Sequence, residues 1–327
     1  MGASLETVAR AAGVSAATVS RALSRPGLVN EATRQRVLAI AAEYGYQANA
    51  SARGLATGRT MALALLVPDI TNPFYPELIR GAENRAEQAG YSLLLCETGE
   101  HADREQRLLW RVTGQVDGVI VCSPRSEEAG LVKVAQAVPT VLFNRAVRRI
   151  PSVSCLAGPG MAELVSHLVR LGHREVAYLQ GPRASWSNKE RLSAVRAAAH
   201  AHNVALHVLG PYLPTLEGGR NAAEDIASTG ATAALAFDDL TAIGVIGRLW
   251  ELGLHVPNDV SVTGCDDIFY AALFSPPLTT VRSATSAAGA TAVEILLERI
   301  GAAPSARARH VELVGDVVVR ASTAPVR

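Results

Sequence analysis

From Met61 onward the chain repeats one texture: a short, nearly continuous apolar run, an amphipathic stretch, then another apolar run. "MALALLVP", "YSLLLCET", "GVIVCS" and "PTVLFN" have no polar face, the pattern of parallel strands covered on both sides. Helical periodicity fills the segments between them, near 76–89, 103–113 and 127–137. A second series follows: a helix near 161–171, "EVAYLQG", a helix near 189–202, "HVLG" and a helix near 219–228. It continues with "AALAFDD", a helix near 240–252 and "VSVTGCDD". Two consecutive βαβαβ series predict an α/β core of two Rossmann-like subdomains with a cleft between them. Ligands of such sheets gather at the carboxyl ends of strands, which here carry Asp69, Asn144, Asp238 and Asp266.

The first sixty residues are different. "SLETVARAA" reads as a helix capped by Ser4, with Leu5, Val8, Ala9 and Ala12 at helical spacing, and Gly13 supplies a turn. A second helix, capped by Ser15, places Val19 and Leu23 on an inner face and turns Ala16, Ala17, Thr18, Ser20 and Arg21 outward. A third runs from about Glu31 to Tyr44, with Val37, Leu38 and Ala41 inward and Gly45 closing it. Three short helices, the first two joined at a glycine, predict an all-α helix-turn-helix domain whose second helix lies in the DNA major groove. Charge agrees with that reading. The whole chain carries +1, but residues 1–60 hold seven arginines against three acids, so the head is +4 and the remainder −3. A basic head implies an anionic partner, nucleic acid first.

The four cysteines make no zinc or C-x-x-C spacing; Cys96, Cys122 and Cys265 sit in or beside apolar runs, as buried thiols do. A reduced, cytoplasmic protein is expected, with no signal peptide, no membrane span, no metal and no cofactor. Enzyme motifs are missing too: there is no G-x-S-x-G elbow, P-loop, H-E-x-x-H or dinucleotide fingerprint. In "LGHRE" the histidine is expected to cap a helix end. The adjacent acids 238–239 and 266–267 could suggest metal-assisted hydrolysis, but neighbours at a strand end point to opposite sides, leaving one of each pair structural.

At this point the chain resembles the LacI/GalR family of bacterial transcriptional regulators. "LETVARAAGVSAATVSRAL" is similar to the family's headpiece signature and "TRQRVLAIAAEYGY" to its third helix. "ALLVPDITNPFYPELIRGAE", "LVRLGHREVAYLQGP", "ELGLHVPNDVSVTGCDD" and "PPLTTVR" resemble its core signatures. The resemblance implies a headpiece over 1–48, a hinge helix and linker over 49–60, and a periplasmic-binding-protein-like effector and dimerisation core over 61–327. Within the core it implies one subdomain of 61–158 plus 285–305 and another of 159–284 plus 306–327.

It also implies roles. Ala16, Ala17 and Arg21 correspond to base-reading positions: an arginine can grip guanine O6 and N7, and small apolar groups can touch a thymine methyl. Both alanines are equally explained as good helix formers. Ser15, Thr18 and Ser20 fall where phosphate oxygens are met. Asn49, Ala52 and Leu55 are the hinge positions implied at DNA, Leu55 as a minor-groove wedge. Ala48 where proline is common, and Gly54, weaken that hinge helix. Operator DNA, a homodimer and a small effector, first a sugar or related polyol, are the implied partners. The chain end "GDVVVRASTAPVR" has no leucine heptad for tetramers.

In the cleft, Arg191 matches the arginine that grips effectors and Asp266 the acid that accepts their hydroxyls. Phe74, Tyr75 and Asn144 fall where the pocket is lined. Trp186 would either stack on a sugar face or pack its loop. Asp238 replaces a usual asparagine; it can accept hydroxyls, bind a cation or disfavour anions. Leu156 and Ala157 replace a usual Asp-Asn. The rival readings are a ligand-binding protein of this fold without a specific operator and, behind it, an enzyme.

Overall fold

The computed structural model of the protein describes residues 4–24, 26–46, 59–301 and 307–326. The chain divides into two compact units, 1–61 and 62–327. In the first, α1 (Leu5–Ala12), α2 (Ala16–Ser24) and α3 (Glu31–Glu43) close around Val8, Ala12, Val19, Ala22, Val37 and Ala41. Helices of this length are marginal alone, so the shared core holds them. Each fully buried valine contributes roughly 1.5–3 kcal/mol. Side chains satisfy the free helix ends: Ser4 Oγ accepts from Thr7 N–H at 3.2 Å, Ser15 Oγ from Thr18 N–H at 3.1 Å, and Asn30 Oδ1 from Ala32 N–H at 2.9 Å. Gly13 (φ 65°) and Gly45 (φ 60°) leave α1 and α3 in the left-handed conformation that the sequence reserves for glycine there.

The second unit opens with β1 (Ala62–Val67), α4 (Tyr75–Gln88), β2 (Ser92–Glu97), α5 (Ala102–Thr113), β3 (Gly118–Cys122), α6 (Glu128–Ala137), β4 (Thr140–Phe143) and β5 (Ser152–Leu156). Then come α7 (Gly158–Arg170), β6 (Glu175–Leu179), α8 (Trp186–Ala201), β7 (Ala205–Leu209), α9 (Leu216–Ala227), β8 (Ala233–Ala236), α10 (Asp239–Glu251) and β9 (Ser261–Thr263). The last elements are α11 (Phe269–Leu273), β10 (Thr280–Arg282), α12 (Thr285–Gly301), β11 (His310–Val314) and β12 (Asp316–Val318). The first sheet is parallel throughout, in the order β11-β5-β4-β3-β1-β2, and the second is parallel in the order β7-β6-β8-β9. Buried side chains line both faces of the inner strands, the reason these read as unbroken apolar runs, whereas edge strand β2, read the same way, leaves Leu94 and Leu95 exposed.

Two differences from the sequence reading concern this core. First, β11 pairs with β5, register His310↔Ser152 to Val314↔Leu156, so residues 310–314 belong to the first subdomain and not to the second. Only from β12, antiparallel to β10, does the chain end rejoin the second subdomain. The chain therefore crosses between subdomains three times. Within the first subdomain α12 packs on α4 so closely that a Cβ on Gly81 would stand 2.0 Å from the Ser286 carbonyl oxygen, and one on Gly289 2.1 Å from that of Leu78. Second, the His173 side chain caps no helix. Its Nε2 bonds the Ala324 carbonyl at 3.1 Å and its Nδ1 the Thr232 hydroxyl at 2.8 Å, tying down the chain end.

Of the cysteines, Cys122, Cys155 and Cys265 are buried and Cys96 is half-exposed on β2. Burial pushes the Cys155 thiol up to about 12, away from the thiolate that reacts. Among the described residues no helix is long and apolar enough to cross a membrane.

Candidate functional site

In the first unit the face of interest is that of α2. Arg21 and Ala17 are exposed one turn apart, and Arg21 Nε donates to the Ala17 carbonyl at 3.1 Å. Ala16, expected to face outward with them, is half-buried against the headpiece core. The Ser15 hydroxyl bonds that of Thr18 at 2.9 Å while capping the helix, so both are fixed at its N-terminus, where backbone N–H groups favour an anion. The hinge positions Asn49, Ala52 and Leu55, with Ala48 and Gly54, lie outside the described residues.

In the second unit, the loops after β1, β2, β3 and β4 meet those after β6, β7, β8 and β9 at one cavity. Phe74, Tyr75, Asn144, Arg191, Asp238 and Asp266 all line it. Asp69 does not. It accepts from the Thr71 N–H and hydroxyl, both at 2.7 Å, and so shapes the loop that delivers Asn72 and Phe74. Asn72 Oδ1 in turn accepts the Phe74 N–H at 2.9 Å in the turn that leads into α4. Phe74 is wedged between rings, edge-on to Tyr75 at 5.2 Å and tilted against Phe143 at 6.1 Å. Trp186 does not line the cavity: it is the first residue of α8, and its neighbours Ser185 and Ser187 face the cleft instead. Helix geometry turns successive side chains about 100° apart, so a loop reading could not tell which of the three points inward.

Backbone strain is concentrated here. Seven described non-glycine residues have positive φ, and four of them line the cavity: Glu100 (62°), Ser123 (44°), Asn144 (51°) and Asp266 (128°). Asn144 Oδ1 accepts the Cys155 N–H at 2.9 Å, which leaves its NH₂ as the donor end.

The charges come in two pairs. Arg191 is buried, its Nη1 donating to the Phe237 carbonyl and its Nη2 to Asp266 Oδ1 at 3.2 Å, with its guanidinium 4.8 Å over the Phe237 ring. On the other subdomain Arg125 Nε holds Glu100 Oε2 at 2.6 Å. Neither Glu100 nor Arg125 stood out in the sequence, although each follows a strand end, β2 and β3, by three residues. A buried Glu105 fixes that loop through the N–H groups of Arg125 at 2.9 Å and Ser126 at 3.1 Å.

The two acid pairs divide as alternation requires. Asp238 lines the cavity and caps α10, Oδ1 accepting from Thr241 N–H at 2.8 Å. Asp239 turns into the protein, where its oxygens accept from the Thr280 hydroxyl at 2.5 Å and the Ile268 N–H at 2.9 Å. Asp267 binds Arg320 at 2.6 Å and Arg282 at 2.8 Å. Burial raises the Asp238 and Asp266 carboxyls above the usual range, opposed by the Thr241 bonds for the first and by Arg191 for both.

Residues 4–49 match the family model described as bacterial regulatory proteins, lacI family, and residues 165–323 that of a periplasmic binding protein-like domain. The chain is 34% identical to the HTH-type transcriptional repressor PurR of Vibrio vulnificus (strain CMCP6), over 91% of this chain and 92% of that one. It is 31% identical to the ribose operon repressor of Escherichia coli (strain K12), over 98% and 99% of the two chains. The structure of the lac repressor dimer bound to operator and the anti-inducer ONPF superposes with a TM-score of 0.87 at 26% identity, covering 99% of this chain and 100% of that one. A helix-turn-helix head, a two-sheet core and repressors similar along almost the whole length lead to one conclusion: the chain belongs to the LacI family of bacterial transcriptional regulators.

Proposed function

We propose that the protein is a repressor that binds a palindromic operator as a homodimer and changes its DNA affinity when a small hydroxylated molecule, a sugar or related polyol, binds between the core subdomains. The observation that carries the effector reading is the strain at the strand ends. Four residues from both subdomains hold a costly left-handed backbone and line one cavity. Each such residue costs about 1–3 kcal/mol, and folds keep strain where a side chain must be aimed. A ligand touching both walls biases the relative position of the subdomains, which three chain crossings leave free to rotate.

On the DNA side, Arg21 is the exposed donor on α2 and Ala17 the small group beside it, suited to guanine and to a thymine methyl. Dimerisation is supported by the apolar side chains the chain leaves open: Leu94 and Leu95 on edge strand β2, and Phe269, Tyr270 and Leu273 on α11. Unpaired edges and patches of this kind are normally covered. A second copy of this chain is the cover we propose, in keeping with the similar lac repressor, which is a dimer in its operator complex. Such a regulator works where the DNA is, in the cytoplasm.

The test is fluorescence anisotropy on operators selected from randomised DNA. Saturable binding to a palindrome, weakening steeply with salt and shifted by a sugar, is the expected result. Weak binding indifferent to sequence would leave the rival, a ligand-binding protein without an operator.

A further inference from the structure

We propose that the cleft takes a hydroxylated ligand without negative charge, and that Asp238 is the residue that turns carboxylates and phosphates away. The inference rests on the reading of the cleft as the effector site. Five charged side chains line the cavity: Glu100, Arg125, Arg191, Asp238 and Asp266. Both arginines are already engaged. Arg125 is held by Glu100 at 2.6 Å, and Arg191 by Asp266 at 3.2 Å together with the Phe237 carbonyl and ring.

The acid left over is Asp238. Its carboxylate caps α10, and among the described residues it forms no ion pair. Arg191 favours its ionised form, and Glu100 opposes it from the other subdomain. Where all three acids are ionised they outnumber the two arginines by one; burial works against that ionisation at Asp238 and Asp266 and Arg191 works for it. An anionic ligand would meet Asp238 directly and would compete with Glu100 and Asp266 for the two guanidinium groups. Out of bulk water, such like-charge contacts are poorly screened.

Hydroxyl donors face the opposite situation, since ionised carboxylates only accept. Arg191, which lines the cavity, keeps a buried Nε N–H without a partner, and a neutral hydroxyl or ring oxygen can accept from it.

The experiment is calorimetric titration of the full-length protein at neutral pH with matched probes: D-ribose, D-glucose and D-glucosamine against D-gluconate, D-ribose 5-phosphate and D-glucose 6-phosphate. Ser187→Phe, which fills the cleft, and Arg191→Gln serve as site controls. The expected result is cleft binding by members of the first group, with the matched anions at least about 30-fold weaker and that gap shrinking to a few-fold in Asp238→Asn. An anion bound as tightly as its neutral parent, and lost in both control variants, overturns the charge inference while leaving the effector site standing. Unchanged discrimination in Asp238→Asn overturns the part assigned to that residue. If no probe binds, or if binding survives both controls, the sugar-effector reading of the cleft falls and the inference with it.

Discussion

Asp239 makes the stability of the core depend on pH in a way that one substitution isolates. Its carboxyl is fully buried, and burial outweighs the Thr280 and Ile268 hydrogen bonds, pushing its pKa from 3.8 to about 7. The folded chain thus holds this proton more tightly than the unfolded chain. The stabilisation is complete below the unfolded value and is lost as pH rises through the folded one. At about 1.4 kcal/mol per pKa unit, the window from pH 5 to pH 8 removes about 2–3 kcal/mol. Asp239→Asn imitates the protonated acid: its carbonyl accepts the Ile268 N–H and its NH₂ donates to the Thr280 hydroxyl. Its stability carries no such pH dependence. The assay is the thermal midpoint of the full-length protein and of Asp239→Asn, measured side by side from pH 5 to pH 8. Near pH 5 the variant already melts somewhat higher, because the unfolded carboxyl ionises from about 3.8 upward. Between pH 5 and pH 8 that gap widens by roughly 5–10 °C, taking 2–4 °C per kcal/mol for a unit of this size. Parallel profiles, with the difference constant across the range, would refute the reasoning by showing that Asp239 binds its proton equally in both states.

Three other outcomes are expected. Arg21→Ala should weaken binding to the selected operator by about 1–3 kcal/mol while leaving non-specific binding nearly unchanged at equal salt; an equal loss on both DNAs would reduce Arg21 to a phosphate contact. Leu94→Glu combined with Leu273→Glu should convert a dimer to a monomer in sedimentation velocity and abolish tight operator binding, whereas an unchanged sedimentation coefficient would place the dimer face elsewhere. Trp186→Phe should leave effector affinity within about two-fold in titration, since the indole lies off the cavity; a ten-fold loss would return the tryptophan to the ligand.

Much of this arrangement is legible before folding because it is local. Near-continuous apolar runs specify buried parallel strands, and Ser4, Ser15, Gly13 and Gly45 mark helix ends through bonds to residues at most five positions away. Asn144, Asp238 and Asp266 were reachable by a general rule, since strand ends of such sheets line the cleft. The same rule carried through β2 and β3 would have reached Glu100 and Arg125. Asp69 obeyed it and still misled, because its oxygens serve its own loop.

Taken alone, the sequence determined the two-unit plan, the identity and order of most elements, the basic helix-turn-helix head and the acidic strand ends. Each of these follows from periodicity or spacing within a few residues. Only the tertiary structure decided that β11 returns to the first sheet, because parallel pairing of His310–Val314 with Ser152–Leu156 joins segments about 158 residues apart and leaves no local mark. It alone decided that Asp238 faces the cleft while Asp239 is sealed against Thr280, and that Ser185 and Ser187 take the place expected of Trp186. It also set the partners of the two cleft arginines. A buried charge is defined by whichever group stands within hydrogen-bonding reach, and for Arg191 that group, Asp266, lies 75 residues further along the chain.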